Sequence, residues 1–240
     1  MVGLNTSRSG MPPNWVRWMK AGQATAIVDA QGRGDFPTVQ AGVDAVEVVG
    51  SGRIWVRNGT YDEGVTISGT QIHLSGEGWG AKIINNSGKA LICNGTRNFV
   101  DNIQITTTSG GGGGGNAIDV VSGTGYHTFR DIYIPDSDQE GYDINAPECQ
   151  IFGGRLDAAD NTGVRLDQVR CMVMGMYSRA DLDAENLADN FNFCGNSIHT
   201  NATALRMAGG CIDGIYDGNL MDGSISDLGS GNTAGSNEQY

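Results

Sequence analysis

The sequence predicts an all-β fold, a solenoid of short parallel strands with one capping helix, and three observations predict it. From about residue 88 the chain falls into blocks of about 20–30 residues, the period range of solenoids. Each block carries short apolar alternation, a polar corner and a second short apolar run, as in "KALICNGTRNFVDNIQIT", "NAIDVVSGTGYHTFRDIYIP" and "GVRLDQVRCMVMGMYS". Glycine is abundant, 38 residues against 5 prolines, which supplies the many tight turns such blocks need.

Alternation over three to five residues means strands with one buried face. Strands this short cannot bury a face alone. Stacking successive coils solves the problem, each strand pairing with its equivalent about 4.8 Å above and below. About seven such coils would make a rod about 35 Å long. The first coils are "GRIWVRNGTYDEGVTISGTQIHLSGEGWGAKII", in which Ile54, Val56, Val65, Ile67, Ile72, Leu74, Ile83 and Ile84 mark the alternation. Cys149, Cys171, Cys194 and Cys211 fall at similar places in later blocks, with Phe99 and Phe129 in earlier ones. That pattern predicts an internal ladder of inert thiols rather than a metal site, because CxxC spacing and histidine partners are missing.

Before the first coil, "DFPTVQAGVDAV" places Val39, Val43 and Val46 on one helical face, with Asp35 as candidate N-cap and Pro37 in the first turn. A helix here would cover the open end of the solenoid and protect its strand edges. The glycines of "VDAQGRGDFPTVQ" then make the bend into that helix. They do not form a phosphate loop, which would require a βαβ unit. The expected organisation is an N-terminal arm over 1–25, cap strand and helix over 26–50, the β-helix over 51–223, and a polar glycine- and serine-rich tail over 224–240.

The run "IVDAQGRGDFPTVQAGVDAV", followed by "GRIWVRNGTYDEGVTIS" and "QIHLSGEGWGAKII", closely resembles the N-terminal cap and first coils of the pectate-lyase-like superfamily. That resemblance implies a single-stranded right-handed parallel β-helix and covers about residues 26–85, with the generic coil repeat continuing to about 223. The superfamily includes pectin methylesterases, polysaccharide lyases, polygalacturonases and many phage tailspike and virion proteins. Their catalytic motifs do not carry over. "CQIFGG" at Cys149–Gly154 shares Ile-Phe-Gly with the methylesterase run but lacks its preceding aspartate. "NTG" at Asn161–Gly163 has glycine where a polygalacturonase has its acid, and His73, His127 and His199 are not flanked by glycines.

An unlisted acid pair on neighbouring coils would still suffice for glycosidic cleavage. The densest acid run is Asp157, Asp160, Asp167, Asp181, Asp183, Glu185 and Asp189, with Arg165, Arg170 and Arg179 as the nearby bases. A solvated acidic corner and a Ca²⁺ site are the competing readings of that run. Tyr126, Tyr133, Tyr142 and Tyr177 are candidates for stacking on sugar rings. The glycine run 110–115 reads as a flexible insertion at a coil corner, or as a loop over a ligand groove.

The net charge of −12 disfavours nucleic acid and anionic membranes as partners. No window approaches the ~20 apolar residues of a membrane span, and no signal peptide stands out at the N-terminus. No catalytic residues, metal site or cofactor are assigned from the sequence. The leading expectation is a non-catalytic virion surface module such as a spike, turret or fibre-like decoration, with host-surface polysaccharide as a candidate ligand. It would be a homo-oligomer, a trimer or pentamer, docked to other virion proteins through an arm bearing Pro12, Pro13, Trp15, Trp18 and Met19. A polysaccharide lyase or glycoside hydrolase acting on a surface or acidic polysaccharide, and a monomeric glycan-binding domain, are the alternatives.

Overall fold

The computed structural model describes residues 24–107, 115–159, 162–185, 188–200 and 203–239. The arm expected to dock, through residue 23, lies outside them, as do Asp160 and glycines 110–114. Among the described residues the strands form three parallel sheets, called A, B and C in the order the chain visits them. Sheet A has ten strands, from Ala24–Val28 to Thr233–Ala234. Sheet B has nine, from Gly59–Asp62 to Glu238–Gln239, and sheet C has eight, from Val65–Ile67 to Ser224–Asp227. Eight complete A–B–C coils result, the first beginning at Gly52–Val56. The segment from Ser224 onward pairs in register too, Ser226 with Arg206 and Ala234 with Tyr216, so the solenoid continues through residues read from sequence as a tail.

The core is the stack of inward positions. Ile54, Leu74, Val100, Phe129, Ile151, Val173 and Phe193 follow one another up the centre of sheet A, each essentially inaccessible. Of the first-coil residues named above, all but Ile84 are buried.

From the third coil on, two corners of each coil place one residue in the left-handed region. Asn102, Asp131, Gly153, Gly175, Gly195 and Gly218, each directly after a sheet A strand, have φ between 52° and 66°. Gln71, Arg97, Tyr126, Glu148, Arg170, Asn190 and Asp213 do the same just before sheet A. This recurrence explains why Gly and Asn punctuate the blocks. At the A–B corner of the last coils the side chains of Asn196, Asn219 and Asn237 form a ladder, with Asn196 Nδ2 donating to Asn219 Oδ1 and Asn219 Nδ2 to Asn237 Oδ1, both at 3.0 Å.

The thiol ladder is shorter than expected. Asn98, His127, Cys149, Cys171 and Phe191 immediately precede successive sheet A strands and stack inside the solenoid. The hydrogen bond to Cys171 and burial push the Cys149 thiol up, and burial draws His127 down to about 4. Cys194 instead stands on the outward position beside Met174 and Asp217, Phe99 also faces outward, and Cys211 sits at the C–A corner with Sγ 3.0 Å from Ala184 O. In strands of three residues a one-position offset exchanges core for surface.

The cap helix α1 spans Val39–Val49 and buries Val39, Val43 and Val46 as its spacing requires. Its N-cap is Thr38 rather than Asp35, and Pro37 lies outside the helix. Asp35 is engaged elsewhere, accepting a bond from Ile27 N at 2.9 Å. Glu63 of the first coil accepts from Val39 N and Gln40 N with its two carboxylate oxygens, placing negative charge at the helix N-terminus. Gly32, with φ +74°, makes the preceding turn.

Candidate functional site on sheet C

One residue per coil at the centre of sheet C points away from the core. In register these are Thr66, Ile92, Asp119, Asp143, Arg165, Asp183, Arg206 and Ser226. From Thr66 to Arg206 the flanking apolar residues of each triplet, such as Tyr142 and Ile144 or Leu182 and Ala184, anchor the strand in the core. The charged residues between them are therefore fixed at the coil spacing of about 4.8 Å.

The aspartates of this row, and the acids beside them, are nonetheless buried. Asp119, Asp143, Glu140 and Asp167 are each less than a tenth exposed, and Asp183 not at all. Arg165 is the hub. Its guanidinium lies 2.7 Å from Asp167 Oδ2, 3.5 Å from Glu185 Oε2, 3.7 Å from Glu140 Oε1 and 3.9 Å from Asp143 Oδ1. Arg206 pairs with Asp183 and, at 2.6 Å, with Glu185, while Lys89 pairs with Asp119. Six carboxylates thus share three cations, which leaves the cluster acidic.

Hydrogen bonding is incomplete where it is most costly. Asp143 Oδ2 accepts from Asn116 Nδ2 at 2.9 Å and Asp183 Oδ2 from Thr162 Oγ1 at 3.4 Å, whereas Oδ1 of each is buried without a hydrogen-bond partner among the described residues. A buried acceptor left unmade costs roughly 1–3 kcal/mol, which a protonated carboxyl or a bound hydroxyl would relieve. Burial, reinforced by the charge of Asp181, pushes Asp183 up to about 6 despite Arg206. Asp143 is raised as well, chiefly by burial. No group of three His, Cys, Asp or Glu among the described residues is arranged to hold a metal ion.

The acidic run of the sequence is divided by the fold. Asp167, Asp181, Asp183 and Glu185 come to sheet C, Asp157 joins Arg155 and Tyr133 on sheet B, and Asp189 takes a bond from Asn190 Nδ2 at the C–A corner. Of the three bases only Arg165 stands in the row, Arg170 pairing with Glu148 at the rim of a shallow cavity of about 330 Å³ lined by Tyr126, Thr128 and Gln150. Asp119, Asp143 and Arg206 were missed by looking for linear density. The signal that finds them is the recurring triplet Ile-Asp-Val, Tyr-Asp-Ile, Val-Arg-Leu, Leu-Asp-Ala and Leu-Arg-Met. "CQIFGG" runs along sheet A and its corner, away from this row.

A pectin methylesterase solved in complex with a hexasaccharide superposes with TM-score 0.50 at 14% identity, over 85% of this chain and 67% of that one. The chain has the pectin-lyase fold. A pectin methylesterase from Aspergillus niger matches at TM-score 0.49 and 15% identity over 91% of this chain and 86% of that one. ORF18 of Geobacillus virus E2 matches at TM-score 0.40 and 11% identity over 79% and 53%. No protein-family model matches the sequence, and no curated protein matches it.

Proposed function

We propose that the protein is a glycan-cleaving β-helix acting on a neutral surface polysaccharide. The observation that carries this reading is the pair Asp143 and Asp183, two rungs apart in one outward row, each with a buried carboxylate oxygen lacking a hydrogen-bond partner. Two rungs put their Cα atoms about 10 Å apart, compatible with the roughly 6.5–9.5 Å between carboxyls of an inverting hydrolase. Asp183 is enclosed and paired with the part-exposed Arg206, so the step requires that side chain to swing aside. Asp183, protonated over much of the range below about 6, then donates its proton to the leaving glycosidic oxygen as the C–O bond breaks. Asp143 takes a proton from the water whose oxygen forms the new bond to the anomeric carbon. Solvent exchange then returns both carboxyls to their starting states. Arg165, between them, orients the carboxylates and bonds substrate hydroxyls.

The surplus of carboxylates favours a neutral chain over a uronate polymer. Presentation on a larger assembly through the arm, and oligomerisation, belong to the same proposal and are supported by Trp15, Trp18 and Met19. Incubation with a panel of neutral and acidic polysaccharides tests the activity. New reducing ends from a neutral member support it, unsaturated products would instead indicate a lyase, and no product from any member would leave a binding module.

A further inference from the structure

We propose that the arm, residues 1–23, docks back on the outward face of sheet A, laying Trp15 and Trp18 along its middle coils. Over the fifth to seventh coils the outward positions of that face are Gln150, Phe152, Met172, Met174, Asn192 and Cys194, none of them charged. Over the same coils sheet B turns Arg155 outward, and sheet C turns Arg165, Asp183 and Arg206. Ile215 continues the uncharged strip on the eighth coil. Met174 is 37% and Ile215 46% exposed, while Phe152, Met172 and Cys194 are half-buried. A contiguous apolar strip of this kind marks a surface that another group covers.

Toward the fourth coil the strip opens into the shallow cavity of about 330 Å³, which Thr128 and Gln150 line from sheet A. Tyr126 stands in its wall, half exposed, with the Arg97 guanidinium 5.4 Å from the ring centroid. The face therefore offers a hollow of a size that admits an indole, followed by an apolar shelf at Met172 and Met174.

The arm is the occupant that position and length select. It joins the fold at Ala24–Val28, the first strand of this same sheet. Counting up sheet A, the Thr128 strand lies four rungs from Ala24–Val28 and the Met172 strand six, about 19 and 29 Å at the coil rise. Pro12 and Pro13 favour the extended polyproline conformation, which advances about 3.1 Å per residue with three residues per turn. Continued to Ala24, that conformation puts Trp18 about 19 Å and Trp15 about 28 Å from the strand, with both indoles on one side of the segment. Trp18 then meets the cavity and Trp15 the two methionines. The arm also holds Arg8, Arg17 and Lys20 and no acid, in a chain of net charge −12, so the acidic body attracts it. Tethered at one end, it binds without the association cost that a separate partner meets. Presentation on an assembly uses the same tryptophans, so an assembly draws the arm off sheet A, and the sheet C activity takes no part.

Methionine oxidation by dilute hydrogen peroxide, read by peptide mass spectrometry on the full chain, tests the docking. Met174 should oxidise about tenfold more slowly in the wild type than in a variant carrying both Trp15→Ala and Trp18→Ala. The buried Met207 and Met221 should stay slow in both proteins, which reports that the solenoid remains folded. A variant carrying Trp15→Phe and Trp18→Phe should keep most of the protection. Equal Met174 rates in the wild type and the double alanine variant overturn the proposal. Protection that fades on dilution, together with an oligomer seen by light scattering, also overturns it and puts the arm of a second copy on the strip.

Discussion

Asp143 and Asp183 occupy equivalent outward positions two coils apart in sheet C, with Arg165 on the rung between them. Their environments differ in kind. Asp183 is fully enclosed and pushed up to about 6, while Asp143 keeps a sliver of exposure and a bond from Asn116. The parallel register fixes this relationship, because neither residue can move along the solenoid without moving its whole coil.

The raised Asp183 carboxyl has a thermodynamic signature. Its folded-state value of about 6 lies above the ordinary aspartate value of 3.8, so the native state binds the extra proton between those limits. Stability from this group is therefore fully present below about pH 4 and is lost as pH rises through about 6. Asp183→Asn, which cannot titrate, should flatten that part of the stability profile. Denaturant melts of both proteins from pH 4 to 7 measure it, and identical pH slopes would place the titration elsewhere.

Glu63 ties the first coil to the cap helix through bonds to Val39 N at 2.6 Å and Gln40 N at 3.0 Å. Replacing it with alanine frees two N–H groups at the N-terminus of α1 and should lower stability by about 1–2 kcal/mol. Chemical denaturation reads the change, with Glu63→Gln retaining part of the effect.

The asparagine ladder should be more sensitive than a surface turn. Asn219 is buried, accepts from Asn196 N and Nδ2, and donates to Phe193 O and Asn237 Oδ1. Asn219→Ala leaves those groups without their partner, at a cost of roughly 2–3 kcal/mol. Hydrogen exchange should show the loss concentrated in the seventh and eighth coils.

Gly214 makes room for Phe191 of the coil before it, since a Cβ there would lie 2.0 Å from Phe191 Cζ. Gly214→Ala should destabilise by about 1–3 kcal/mol through overpacking. Combining it with Phe191→Leu should recover part of that loss, and a thermal melt of the two variants shows whether the effects couple.

The solenoid is legible in the sequence because alternation, corner residues and block length all express the same coil. The facing of single residues is less so. Phe99 and Cys194 sit in strands of three residues, where one apolar neighbour more or less decides which parity looks buried. Thr38 rather than Asp35 caps the helix because Ile27 N already claims the aspartate, a long-range bond that local pattern does not contain. The sheet C row was hidden for a related reason. Asp119, Asp143 and Asp183 are scattered along the chain and become neighbours only through the register, whereas the dense run from Asp157 to Asp189 is spread over three sides of the solenoid.

The most direct test is turnover by the Asp143→Asn and Asp183→Asn variants. On a neutral polysaccharide the wild type should release reducing ends with an acidic optimum, falling as pH rises past about 6. Each variant should lose roughly 10²–10⁴-fold in rate while remaining folded and bound to the same polysaccharide. Variants that cleave at the wild-type rate, or a wild-type protein that releases nothing from any member of the panel, would contradict the account.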